Sequence, residues 1–104
     1  MSTAILNQVA NWLAEPFVRT GVYPNAEQAL KHIFLDYIQR QIAWAEVAVQ
    51  RYEQKHGAPF ATWTRAIAGK ATIADEDEWM EWEAVLDMLA GWRQIQAEIE
   101  QNYV

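Results

Sequence analysis

Residues 26–56, AEQALKHIFLDYIQRQIAWAEVAVQRYEQKH, decide the fold, because this stretch contains neither glycine nor proline. An uninterrupted helix over these residues would be roughly 45 Å long at 1.5 Å per residue. Helices of globular proteins average about eleven residues, so this one is unusually long. Asn25, with Gln28 three residues later, predicts a capping box at its start, and Gly57 predicts its end.

The apolar residues in the second half of this helix lie on two sides. One stripe contains Ile42, Ala45, Val49 and Tyr52, and beside it lie Trp44, Val47 and Ala48. A helix that is apolar on more than one side usually has more than one neighbour. We therefore expect a homodimer in which one side packs within the chain and the other packs across the interface. The expected dimerisation residues are Ile42, Trp44, Val47, Val49 and Tyr52.

Helical patterns also flank this segment. A first amphipathic helix is predicted over 3–15, where Pro16 ends or bends it, and a short helix over 60–68. A last helix is predicted over about 76–101, capped by Asp75 with Glu78 as its reciprocal partner. It carries a seven-residue repeat made of Trp82, Val85, Leu89, Trp92, Gln96, Ile99 and Tyr103. Such a repeat predicts coiled-coil-like packing against another helix.

We find no alternating β-branched pattern, so the predicted fold class is all-α, with three main helices and one short helix in a helical dimer. A single domain is expected over 1–104. It comprises an N-terminal helix and turn (1–24), a long dimerisation helix (25–57), and a short helix followed by the acidic C-terminal helix (58–104).

Negative charge is concentrated in the last thirty residues. Residues 75–104 hold nine acidic side chains and one basic side chain, a net charge of −8, whereas residues 1–74 have a net charge of +2. The total of −6 argues against general nucleic-acid binding, which needs clustered Lys and Arg. The chain has no cysteine, which excludes thiol catalysis, and no apolar run of about 18 residues. We expect a cytoplasmic protein that does not enter a membrane.

Two groups of residues are catalytic candidates. His32 and Asp36 lie one helical turn apart, but this pair is more typical of a surface hydrogen bond than of a metal site. The segment Arg51-Tyr-Glu-Gln-Lys-His56 resembles the signature of the HEPN ribonucleases, an all-α family. That resemblance implies an Arg and a His at a dimer groove that cleave RNA without metal. We assign no catalytic residue, no metal ligand and no cofactor, and keep the ribonuclease as an alternative.

A second resemblance covers about residues 18–93. Gly21, Tyr23, Asn25 and Glu27, followed by an amphipathic helix, resemble the helical part of ribbon-helix-helix antitoxins, and residues 77–84, DEWMEWEA, resemble short antitoxin-type proteins. The family implies a role in prokaryotic toxin–antitoxin modules. In ribbon-helix-helix proteins an N-terminal strand reads DNA. Residues 1–4 are too short for that strand and carry no basic side chain, so DNA binding is not carried over.

The acidic residues around Trp79 and Met80 are typical of a partner surface, because exposed Trp and Met rimmed by charge often lie at interfaces. The expected partner-binding residues are Glu76, Asp77, Trp79, Met80 and Glu81. We expect a non-catalytic antitoxin that covers the basic cleft of a small toxin with this helix. The other alternative is a helical homodimeric interaction subunit with no toxin.

Overall fold

The computed structural model describes residues 3–102, and every regular element in this range is an α-helix. The helices are α1 (Thr3–Arg19), α2 (Ala26–His56), α3 (Phe60–Ile67) and α4 (Ile73–Asn102), and no strand occurs between residues 3 and 102. The all-α prediction is confirmed. Met1, Ser2 and Tyr103, which was predicted as the last residue of the seven-residue repeat, lie outside the described residues.

The long helix α2 begins and ends where the sequence predicts. The Asn25 Oδ1 accepts a hydrogen bond of 2.9 Å from the Gln28 backbone N–H, which satisfies one of the free donors of the first turn. At the other end Gly57 adopts a left-handed conformation with φ of 65°, which glycine reaches without strain. The predicted range 26–56 is therefore confirmed.

Helix α4 packs antiparallel against α2 along most of its length. Near one end Lys55 pairs with Glu78, and further along Arg93 lies 3.4 Å from Glu46. Near the other end Ile99 lies beside Leu30. The buried core between the two helices consists of Ile38, Ile42, Ala45 and Leu89, with Val49, Val85, Met88, Trp92 and Ile99 packed against it.

The seven-residue repeat of α4 therefore faces α2 of the same chain. Trp82 and Leu89 are buried, and Val85 and Trp92 are half-buried in the same interface. The one polar member, Gln96, is also half-buried. The predicted helix–helix packing of α4 is confirmed, and its neighbour lies within the chain.

The start of α4 differs from the prediction. The helix begins at Ile73, because Thr72 is its cap. The Asp75 backbone N–H donates to Thr72 Oγ1 (3.1 Å), and the Thr72 N–H donates to Asp75 Oδ2 (3.0 Å). Asp75 is thus the reciprocal partner in the capping box. The predicted pairing of Asp75 with Glu78 was wrong, and Glu78 makes other contacts.

Pro16 does not end α1, which continues to Arg19. Proline disrupts the turn that precedes it, because it lacks the N–H that would bond to residue 12, but the residues after it stay helical. The helix ends one turn later, where the Thr20 N–H and hydroxyl both donate to the Pro16 carbonyl (3.1 and 2.7 Å). Gly21, with φ of 79°, then lets the chain turn towards α2.

Helix α1 packs against α2 and against no other helix of the described chain. Ala14 is its one buried residue, and Ala29 is fully buried on α2. Its large apolar residues are exposed instead: Ile5, Leu6, Val9, Trp12, Leu13 and Phe17. The amphipathic pattern of α1 is thus not used for packing within the chain.

The result is an elongated molecule of 59 × 29 × 22 Å. Its radius of gyration of 19.7 Å exceeds the ~13 Å typical of a compact domain of this length. Two long helices side by side bury one stripe each and leave their other sides uncovered. Apolar side chains consequently remain exposed on α1, on α2 and at the start of α4.

Leu89→Ala is expected to lower the free energy of unfolding by about 2–4 kcal/mol, because it removes a buried side chain from the centre of the α2–α4 interface. Urea denaturation followed by circular dichroism measures this loss. Ile95→Ala, at an exposed position of the same helix, is the control and should change stability by less than about 1 kcal/mol. Equal losses in the two variants would contradict the assigned core.

Candidate partner-binding surface

An aromatic cluster joins the C-terminal end of α2, the short α3 and the start of α4. Trp82 lies at its centre and is fully buried. The cluster consists of Tyr52, His56, Phe60, Trp63, Trp79 and Trp82. Ring centroids are 5.3 Å apart for Tyr52 and Trp82 and 4.1 Å apart for His56 and Trp63. These contacts hold α3 against the two long helices and fix the position of the residues that follow Thr72.

Glu78 ties this cluster to the end of α2. One carboxylate oxygen accepts a 2.9 Å hydrogen bond from Lys55 Nζ, and the other lies 3.1 Å from His56 Nε2. The His56 contact lacks the alignment of a ring hydrogen bond. Burial alone would raise the pKa of Glu78, but the Lys55 hydrogen bond and the neighbouring His56 outweigh it and lower the pKa.

Tyr52 is the other group with an altered pKa. Partial burial raises the pKa of its hydroxyl, and the negative charges of Glu81 and Glu78 raise it further. The hydroxyl lies 3.5 Å from Glu81 Oε2, with Glu81 as the acceptor. A tyrosine held in its neutral form beside carboxylates is a hydrogen-bond donor and not a base.

Four of the five predicted partner-binding residues are exposed: Glu76, Asp77, Met80 and Glu81. The fifth, Trp79, is half-buried, packs its ring on Phe60 and donates from its indole N–H to Thr64 Oγ1 (2.9 Å). Trp79 therefore connects α4 to α3 and offers only part of its ring to a partner.

The five predicted partner-binding residues lie on two different sides of α4. Glu76, Trp79 and Met80 line an open groove of about 410 Å³, together with Ile67 and the 68–71 connection. Asp77 lies outside this groove, and Glu81 faces Tyr52 on α2. A ligand in the groove would thus contact the carboxylate of Glu76, whereas Asp77 and Glu81 lie outside the groove.

Ile73 is an exposed residue of this surface that was not predicted. Its side chain is 79% exposed, and the seven-residue spacing to Met80, which is 57% exposed, places both on one side of α4. Glu76 lies between them along the helix. The seven-residue spacing from Met80 could have identified Ile73, but the last helix was predicted to begin at about residue 76 and so did not include it. We call Ile73, Glu76 and Met80 the Met80 face.

The predicted dimerisation residues are also divided by the structure. Ile42 is buried, Val49 packs beside it, and Tyr52 stacks on Trp82, so these three contact α4 of the same chain. Trp44 and Val47 are exposed, by 58% and 46%. Only these two members are available for contact with a second chain.

The residues of the ribonuclease hypothesis do not meet on one surface. The His56 ring stacks on Trp63 and also contacts Trp82, and its side chain is only 14% exposed. Arg51 lies five residues earlier, about 140° around the helix, and lines an open groove with Trp44 and Lys55. Arg51 is thus open to solvent, whereas the His56 ring is packed against Trp63.

The His32–Asp36 pair does not form a metal site in this structure. His32 stacks on Tyr23 with centroids 5.2 Å apart, and Asp36 pairs with Arg40 at 3.1 Å. Among residues 3–102 no group of three His, Asp or Glu side chains lies close enough together to hold a metal ion.

Comparison of the chain with protein-family models, with curated proteins and with solved structures finds no match. None of the helices described between residues 3 and 102 combines the length and apolarity that a membrane span requires. The function is therefore argued from the surfaces of the molecule.

Glu78→Gln is expected to lower the free energy of unfolding by about 1–3 kcal/mol at pH 7, because it removes a charge-assisted hydrogen bond. A lowered pKa means that the ionised carboxylate stabilises the fold above its ordinary pKa of 4.5. This contribution is lost as the pH falls from 4.5 through the lower pKa of the folded state. The difference between the wild type and Glu78→Gln should therefore shrink over that range.

Urea denaturation between pH 3 and pH 7 measures this difference. Glu100→Gln, an exposed carboxylate on α4, is the matched control and should follow the wild type within about 0.5 kcal/mol at every pH. A gap between Glu78→Gln and the wild type that stays constant down to pH 3 would contradict the role assigned to Glu78.

Proposed function

We propose that the protein is a non-catalytic, antitoxin-like binding protein. In this proposal the start of α4 covers the basic cleft of a small toxin. The observation that carries the proposal is the Met80 face, where exposed Ile73 and Met80 flank Glu76 beside an open groove. An exposed apolar centre with a charged rim is typical of protein–protein interfaces.

Charge supports a basic partner. Glu76 and Met80 of the Met80 face belong to a segment, 75–104, with a net charge of −8, whereas the rest of the chain is slightly basic. Carboxylates at this end of α4 attract a basic surface at long range, and the two apolar side chains supply contact area once the partner is bound. A toxin that binds RNA has a basic cleft of this kind.

The rigidity of the site also supports binding. The aromatic cluster and the Thr72 cap hold the first turns of α4 in place before a partner arrives. A preorganised helix loses little conformational entropy on binding. Trp79 adds to this rigidity through Thr64, so its main contribution is to position Met80 and Glu76.

The proposal includes a homodimer. The exposed apolar residues favour association with a second chain, and Trp44 and Val47 are the exposed members of the predicted α2 interface. A helical dimer without a toxin is the alternative that uses the same observations. The burial of His56 argues against the ribonuclease alternative.

Met80→Ala and Glu76→Lys should each weaken binding to the protein product of the adjacent gene. We expect a loss of about 10-fold or more for Met80→Ala, from apolar contact area, and a slower association for Glu76→Lys. Surface plasmon resonance with the purified partner measures both. Glu100→Lys, the same charge change roughly 36 Å along α4, is the control and should bind as the wild type does.

Three outcomes would count against the proposal. One is the absence of a complex on co-purification with the adjacent gene product. Another is equal loss of affinity in Glu76→Lys and the Glu100→Lys control. The third is RNA cleavage by the purified protein that disappears in His56→Ala, which would favour the ribonuclease. Rescue of growth by co-expression with the adjacent gene would support the antitoxin role.

A further inference from the structure

Helix α1 carries a stripe of large apolar side chains beside the side that packs on α2. Leu6, Val9, Leu13 and Phe17 recur at three- and four-residue steps, and Trp12 lies beside them. Ala14, which packs towards α2, lies roughly 100° around the helix from this stripe. Packing on α2 therefore buries Ala14 and leaves every residue of this stripe at least 41% exposed.

The apolar area exposed on α1 is similar to the apolar area that one partner buries in a stable interface. Trp12 is 74% exposed, and the other four residues are each more than 40% exposed. Together they expose on the order of 500 Å² of apolar surface. A standard interface buries about 800 Å² on each partner, of which about 60% is apolar. One such helix on each side thus supplies the apolar area of a complete interface.

The net charge of α1 indicates which kind of partner binds its apolar stripe. Glu15 and Arg19, the charged residues of α1, pair with each other at 3.6 Å, so the helix has no net charge. A basic partner gains nothing from this surface. Helices that lie on membranes have several Lys and Arg residues on the polar side, and α1 has a single Arg. A second neutral apolar helix of equal length fits, and another copy of α1 has these properties.

A second copy of the chain would also complete a known type of helix packing, the four-helix bundle. The α1–α2 hairpin buries its alanine side and leaves an apolar outer side, as one half of a four-helix bundle does. A two-fold axis brings two identical stripes together. This contact also lies away from the start of α4, because α1 touches α2 alone and α4 begins at the opposite end of α2.

We propose that two copies of this chain associate through the Leu6–Phe17 stripe of α1, so that the two α1–α2 hairpins form a four-helix bundle. This inference rests on the homodimer in the proposed function and moves its interface from α2 to α1. The α2 surface is the weaker candidate, because the exposed ion pair of Asp36 and Arg40 interrupts its exposed apolar residues along the helix, which are Phe34, Tyr37, Trp44 and Val47. No toxin is needed for the association.

Sedimentation equilibrium of the full chain should give twice the monomer mass of 12.0 kDa. Leu13→Glu places a charge on the stripe of both copies and should raise the dimer dissociation constant by about 100-fold or more. Val47→Glu makes the same change on α2 and should leave the dimer intact. Circular dichroism checks that both variants remain helical.

Single cysteines provide a second test, because the chain contains none. Leu13→Cys should form a covalent dimer under mild oxidation, whereas Trp44→Cys should not. If Leu13→Glu loses its helicity, the cross-linking of these two cysteine variants tests the α1 interface instead.

A wild-type monomer at high micromolar concentration would overturn the inference. So would dissociation by Val47→Glu, cross-linking by Trp44→Cys alone, or a monomer that co-sediments with phosphatidylglycerol vesicles through α1. None of these results bears on toxin binding by the Met80 face, because that proposal is tested with variants of different residues.

Discussion

The packing of α2 against α4 is the contact on which the rest of the structure depends. Ile38, Ile42 and Leu89 are buried between the two helices, and Ala45 lets the backbones approach. Burial of an aliphatic side chain of this size contributes about 1.5–3 kcal/mol. Helices this long gain most of their stability from such packing and not from intrinsic propensity. Without this contact the two helices would share neither a core nor a fixed orientation.

This packing also determines where the other elements lie. Trp82 belongs to the α4 side of the interface, and its ring contacts Trp63 and Phe60, so α3 is held at one end of the molecule. The alanine contact of α1 lies towards the other end. The molecule consequently has two surfaces of different chemistry: an acidic one at the start of α4 and an uncharged apolar one on α1. Two such surfaces can serve two partners without competition.

Much of the fold was predictable because local signals agreed with the tertiary contacts. The helix 26–56 has no breaker, and the seven-residue repeat of α4 selects Trp82 and Leu89 for burial. The predicted ends of α1 and α4 were less accurate. Pro16 disturbs only the turn before it, and Thr72 competes successfully with Asp75 as the cap. Competition between adjacent caps is decided by backbone geometry, which the residue types alone do not specify.

The candidate site was predictable in part. Exposure of Met80 and Glu76 agrees with the expectation of a partner surface, but Ile73 was missed and Trp79 proved to be bonded to Thr64. The side chain of Trp79 lies near the edge of the repeat, and only the position of α3 decides whether its ring faces solvent. Only the position of α4 likewise decides which predicted dimerisation residues are exposed, because α4 covers Ile42 and leaves Trp44 exposed.

By itself the sequence determined the helical class, the length of α2, the repeat that packs α4 and the concentration of negative charge after residue 74. These follow from periodicity, glycine and proline positions, and composition, which act over a few residues. Only the tertiary structure decided which apolar stripe finds a neighbour. Periodicity shows that α1 has an apolar side, but the neighbour that covers it is set by the helices it meets. In this chain α1 packs on α2 with Ala14 buried, and most of its large apolar side chains remain exposed.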